Sequence, residues 1–391
     1  MRRRVGLFFA SWAVSGAWLG CNLLLGNESA VFAPETGDGA PTPDGGVTDG
    51  APPGDANELP DGADPDAGPC TNLATNPKHC GACFHDCLGG QCAGGACQPV
   101  QLATENGGHL LAIALDATHV YWTNRTTGDI MRVPIAGGAP ERVYDGPLGS
   151  DPGKEFAVHG GHVYFAFSDP EGGPGAILRC PATGCGGAPE TVIPNLTDPD
   201  FVAVQEDGTL LFAELSGRVG RCTLPCAMGF DTVATNESFP LRVAAAGDTV
   251  VWSTLDFGAG GVIRAKIGAG APFSVTSNAF AYGIAIAGEE IVYAQLSAGP
   301  RATLRDGGGP VRALTSFAAQ TSYLTVEEGN VYFTDTRDVT GGVFRCSLAG
   351  CVDGGPPLAA NQPKPNGIAV DAKSVYWTTE STPAAVWRIA K

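Results

Sequence analysis

One β-rich four-residue motif recurs seven times along this chain and constrains its fold more than any other feature. The copies are His119-Val120-Tyr121-Trp122, His162-Val163-Tyr164-Phe165, Thr209-Leu210-Leu211-Phe212, Thr249-Val250-Val251-Trp252, Glu290-Ile291-Val292-Tyr293, Asn330-Val331-Tyr332-Phe333 and Ser374-Val375-Tyr376-Trp377, spaced 43, 47, 40, 41, 40 and 44 residues apart. About ten residues after each comes an arginine: Arg132, Arg179, Arg221, Arg264, Arg305, Arg345 and Arg388. A self-similar period of this length means one supersecondary unit copied in series. The arginines are expected to share one register and to bond carbonyls or acids between units.

Each unit divides into four strand-sized runs separated by Gly, Asn, Asp and Pro turns. In the first they are Ala112–Leu115, His119–Thr123, Ile130–Val133 and Glu141–Tyr144. Four short strands per unit predict a propeller blade, because one such sheet cannot bury both faces alone while blades around an axis can. The chain is therefore expected to be all-β, a propeller of four-stranded blades, seven by count. The seventh unit holds only three strands before Lys391, and Val100–Thr104 is placed to supply the fourth and close the ring.

The runs Tyr121-Trp122-Thr123-Asn124, Tyr332-Phe333-Thr334-Asp335 and Tyr376-Trp377-Thr378-Thr379 resemble the YWTD repeats of lipoprotein-receptor propellers. The likeness spans the region from Val100 to the end and is strongest in these three copies. It implies six blades, the alternative to the seven counted. Only Asp335 keeps the acidic residue of that motif.

Thirteen cysteines fall into three groups. Three pairs sit at the turn between the third and fourth strands of repeats: Cys180–Cys185, Cys222–Cys226 and Cys346–Cys351, read as staples rather than redox sites. Six more, Cys70, Cys80, Cys83, Cys87, Cys92 and Cys97, crowd into a small module. Three disulfides are expected among them, with their connectivity open, because so short a segment has little core of its own. Zinc bound by Cys80 and Cys83 with His79 and His85 is the competing reading. The stretch from Asn76 to Cys97 resembles a module found ahead of propellers in predicted lipoproteins of myxobacteria and related bacteria, a family with no function to transfer.

Cys21 stands alone. Arg2, Arg3 and Arg4 precede an apolar run from Val5 to Gly20, the pattern of an export signal. The run ends in Trp18-Leu19-Gly20-Cys21, which resembles a bacterial lipobox and implies lipidation of Cys21. Between Glu28 and Asp66 lie ten acidic residues and no basic one, a large share of the net charge of −17. Such a Gly-, Pro- and Asp-rich tract cannot bury enough apolar surface to fold. The expected organisation is a signal peptide (1–20), lipidated Cys21 with an acidic disordered linker (21–69), the cysteine module (70–98) and the propeller (99–391). A lipid-anchored monomer in the bacterial cell envelope follows, its partners the membrane and a protein or glycan. Nucleic acid is excluded as a partner, since the chain repels phosphate and carries no basic patch.

Residues just before the innermost strands should ring the mouth of the central channel. Here these are Lys154, Glu155, Asp200, Arg242, Tyr282, Tyr323 and Asn366, a set suited to a polar ligand. Propeller hydrolases hold a divalent metal at this place, so Glu155, Asp200 and Asn366 are candidate calcium ligands, although no cofactor is the leading expectation. The six histidines form no metal-spaced or triad-like set, and no catalytic residue is assigned. Loops between second and third strands vary most (Ser168–Ala176, Leu255–Gly261, Thr334–Gly342). The sequence thus points to a membrane-anchored extracytoplasmic binding module of unknown ligand, with a metal-dependent propeller hydrolase or lyase as the alternative.

Overall fold

Every repeat ends the core of its second strand on a large aromatic residue, and that choice builds the interior. Trp122, Phe165, Phe212, Trp252, Tyr293, Phe333 and Trp377 are all essentially inaccessible to solvent. A side chain of this size on a pleated strand fills the wedge between one sheet and the next. In the computed structural model, which describes residues 70–391 except 107, 148–151, 170–172, 257–259, 278, 297, 317–318 and 352–354, the result is a seven-bladed β-propeller preceded by a disulfide-rich module. No helix occurs among the described residues. Cys21, the signal segment and the acidic tract lie outside them.

Seven four-stranded antiparallel sheets follow in order: Leu110–Tyr144, Phe156–Leu196, Pro199–Ala234, Pro240–Ser277, Ala281–Ala313, Thr321–Gln362 and Pro365–Ala390. We number them blades 1 to 7. The first strand of each blade packs against the first strands of both neighbours, and blade 7 packs against blade 1, so the ring closes at seven rather than the six that the sequence resemblance implied. The fourth strand of blade 7 is Val100–Glu105, which pairs with the third, for example Val100 with Arg388 and Glu105 with Ala384. Both ends of the propeller thus meet in one sheet, which removes two strand edges.

Five of the repeated arginines share one register. Arg132, Arg179, Arg221, Arg345 and Arg388 lie opposite Tyr121, Tyr164, Leu211, Tyr332 and Tyr376 on the second strand. Arg264 does not share it: it lies opposite Trp252, one residue out, and Arg305 falls beyond the end of its strand. In blade 5 it is Arg301, opposite Tyr293, that matches Arg264. A slip of one residue turns a strand side chain to the other face of the sheet, so blades 4 and 5 form a separate pair in this respect. Among the described residues, two of these arginines bond directly to a neighbouring blade, while Arg264 pairs with Glu237 in the link between blades 3 and 4. Arg132 Nη1 donates to the Ala182 carbonyl of blade 2 (2.9 Å), and Arg388 Nη1 to the Ile135 carbonyl of blade 1 (2.5 Å). Arg179 pairs inside its own blade with Glu190.

The six cysteines of the module pair as Cys70–Cys83, Cys80–Cys92 and Cys87–Cys97. With Cys80 and Cys83 so bonded, no zinc site remains there. His79 is buried, and its Nδ1 accepts the Phe84 amide (2.9 Å). In the blades, Cys180–Cys185, Cys222–Cys226 and Cys346–Cys351 each bridge the turn after the third strand. Closing loops this short stabilises by about 2 kcal/mol each on the chain-entropy account. Six disulfides are the mark of an oxidising, extracytoplasmic environment.

Candidate functional site at the channel mouth

The first strand of every blade starts on one face of the ring, and in a meander the second strand returns to that face. The link between second and third strands therefore sits beside the residues that lead into the first. A repeated hydrogen bond fixes the two together. The first amide of that link donates to the carbonyl preceding the first strand: Arg125 to His109, Leu215 to Asp198, Leu255 to Phe239, Leu296 to Phe280, Thr336 to Gln320 and Glu380 to Lys364, all between 2.9 and 3.2 Å. Asp198, Phe239 and Lys364 adopt left-handed backbone with φ of 56°, 43° and 46°. A side chain in that region costs roughly 1–2 kcal/mol, so the tertiary contacts impose this turn. Immediately afterwards the ladder bulges in blades 1, 3, 4, 5, 6 and 7, as between Pro240 and Val243. A bulge re-aims the side chains around it, which is how chain neighbours here come to face different surroundings.

Blades 2, 3 and 4 bring four of the seven expected residues together. Lys154 forms an ion pair with Asp200, and its amide donates to the Asp200 carbonyl (3.1 Å). Arg242 Nη1 donates to Glu155 Oε2 (2.6 Å) and its Nε to the Tyr282 carbonyl (2.7 Å). Both cations also lie over the Phe201 ring, at 4.5 Å for the Arg242 guanidinium and 5.7 Å for the Lys154 ammonium. All four charged groups are buried, Glu155 and Arg242 to 1% exposure. Charges taken out of water this completely persist only when paired, and here two acids meet two bases. Arg242 Nη2 is buried and has no hydrogen-bond partner among the described residues.

The other three residues are divided among blades 5, 6 and 7. Tyr282 is half-buried against the core between blades 3 and 4, and burial pushes its hydroxyl above the usual phenol range. Tyr323 is fully buried in the core shared by blades 6 and 7. Asn366 Nδ2 donates to the Leu110 carbonyl (3.4 Å) across the junction of blades 7 and 1, and its own carbonyl accepts from Thr334 Oγ1 (2.9 Å). Its Oδ1 is buried without a hydrogen-bond partner among the described residues. In blade 1 the first strand opens instead on two buried apolar residues, Leu110 and Leu111.

The metal expectation concerned Glu155, Asp200 and Asn366. Both carboxylates are paired with basic side chains, and Asn366 is engaged at another blade junction. These three residues as arranged do not fit a divalent cation. Among the described residues, the one tight cluster of metal-type donors is Cys80, Cys87 and Cys97, and all three are in disulfides.

Two features of the mouth escaped the sequence reading. Phe201 is one; nothing in the repeat marks it as the surface on which two cations rest. Glu214 is the other. It ends the second strand of blade 3 where Asp335 ends that of blade 6, and both are fully buried. Each holds an arginine two to four residues on, Arg218 and Arg337, and each accepts an amide, from Thr197 (2.5 Å) and Gln320 (3.3 Å). Alignment on the sixth residue of the strand would have exposed it.

No protein-family model matches this sequence, and no curated protein matches it. Solved structures do. The WD40 β-propeller domain of Doa1 superposes with a TM-score of 0.59 at 11% identity, over 74% of this chain and 96% of that one. Streptogramin B lyase gives 0.53 at 14% identity, over 75% and 96%. The computationally designed protein Ika8 gives 0.50 at 12%, over 73% and 99%. At such identities the likeness establishes the propeller fold alone.

Proposed function

We propose that this chain is an extracytoplasmic binding module, lipid-anchored through Cys21, that engages a protein or glycan with the mouth face of its propeller. One observation carries the reading. The charged mouth and the longer links between second and third strands share a face, while the cysteine module docks on the opposite one. The third strand of a blade ends on that opposite face, and there Arg388 bonds the Leu88 carbonyl and His85 meets Lys391. A tether attached through the module would leave the mouth facing away from the bilayer. Variable loops on a rigid frame are the usual place for recognition. The pairing of Glu155 and Asp200 with basic residues favours binding over metal-dependent hydrolysis.

Two experiments test this. Lipidation predicts a mass gain on the mature N-terminal peptide that disappears in Cys21→Ala. Mouth-face binding predicts that a ligand found on glycan and surface-protein arrays is lost when residues 336–340 are replaced and Tyr282 becomes Ala. It should survive changes in the 116–118 turn on the other face. Equal sensitivity of both faces, or one stoichiometric divalent metal released by Glu155→Ala, would refute the reading.

A further inference from the structure

We infer that the groove between blades 3 and 4 is a second binding site, for a small zwitterion of dipeptide size, opened by a break in the repeat at Arg221. In blades 1 and 2 the equivalent arginine is closed in from both sides. Arg132 Nε donates to Glu141 (2.9 Å) on the fourth strand and sits against Tyr121 on the second. Arg179 does the same with Glu190 (2.9 Å) and Tyr164. In blade 3 both partners change. The second-strand residue facing Arg221 is Leu211, which has no hydroxyl, and the fourth-strand residue is Asp231, one methylene shorter than Glu. Among the described residues no hydrogen bond or ion pair reaches the Arg221 guanidinium.

The space left is a cavity of about 360 Å³ lined by Arg221 and Asp231 of blade 3 and by Asp248 and Lys266 of blade 4. Its volume is within the range of small-molecule sites. Lys266 Nζ also donates to the Val233 carbonyl (3.3 Å), which steadies the ammonium at the edge of the groove. Asp248 accepts from the Thr249 hydroxyl (3.4 Å). Two cations and two carboxylates around one cavity favour a ligand that carries both charges. Its carboxylate would take the fork of Arg221, whose planar donors match that group, with Lys266 beside it. Its ammonium would lie between Asp231 and Asp248. A purely anionic or cationic ligand would meet two like charges.

The test is isothermal titration of the full chain with alanyl-alanine, its N-acetyl form and its C-terminal amide. Saturable binding of the free dipeptide is expected, weakened at least tenfold by either cap. Asp231→Glu should rebuild the pair found in blades 1 and 2, close the cavity and abolish binding, with a melting temperature equal to or above that of the parent. Arg221→Gln should also abolish binding, and it keeps the test open if Asp231→Glu folds poorly. No saturable binding of the free dipeptide at millimolar concentration would overturn the site. Equal binding by the acetylated form, or full binding by folded Asp231→Glu, would overturn it too.

Discussion

His85 Nε2 lies 2.7 Å from the carbonyl of Lys391, 306 residues along the chain, and its Nδ1 lies 2.6 Å from the carbonyl of Cys80. One side chain thereby ties the cysteine module to the last strand of the propeller. Both oxygens can only accept, so whichever ring nitrogen carries the proton donates to the oxygen beside it. Around this joint, Arg388 holds the Leu88 carbonyl and Lys391 pairs with Glu327, the last residue of the first strand of blade 6. The module therefore bears on the blade that closes the ring.

Replacing His85 with Ala should loosen that joint while leaving the ring intact. A net loss of about 1–2 kcal/mol is expected for two such bonds in a half-buried place. Amide exchange across residues 79–98 should quicken, with little change within blades 2 to 5. Unchanged exchange in the module would show that the disulfides and apolar packing hold it without His85.

The Glu155–Arg242 pair calls for a different experiment. Because both groups are buried, removing one leaves an uncompensated charge, and either Glu155→Ala or Arg242→Ala should cost about 3–5 kcal/mol. The double variant Glu155→Leu/Arg242→Met should lose much less than the sum of the singles. Urea unfolding of the four proteins reads out the cycle. Additive losses would mean that the two residues act independently of each other.

Asp116 gives a pH dependence with a definite sign. It accepts the Thr118 amide (2.7 Å), the Thr118 hydroxyl (2.8 Å), the His119 amide (2.7 Å) and the Tyr121 hydroxyl (2.6 Å). Burial acts to raise its pKa, but the four bonds outweigh it and hold the carboxyl below its ordinary value of 3.8. A depressed acid contributes stability that is present above the unfolded pKa and lost as pH falls through the folded one. Asp116→Ala should therefore cost roughly 1–2 kcal/mol at neutral pH, and the gap from the parent should narrow below about pH 4. A constant gap from pH 7 to pH 3 would mean that the ionised carboxylate is not what the turn uses. Asp371 builds the same turn in blade 7, accepting from Lys373, Ser374 and Tyr376, and provides an internal comparison.

The repeat made most of the architecture legible from sequence alone. Periodic strands, turn residues and the short seventh unit pointed to seven blades closed by Val100–Thr104, because each follows from local patterning and from the need to bury both faces of a sheet. Three-dimensional packing decided the rest. Six cysteines within 28 residues can pair in many ways, and backbone path alone selects Cys70–Cys83, Cys80–Cys92 and Cys87–Cys97. Spacing suggested one register for seven arginines, yet a one-residue offset turns Arg264 to the other face and Arg305 falls beyond the end of its strand. At the mouth, composition showed acids and bases but not their partners. Lys154 with Asp200 and Glu155 with Arg242 are contacts between blades, set by bulges and left-handed turns that bring residues 46 and 87 positions apart into one buried cluster.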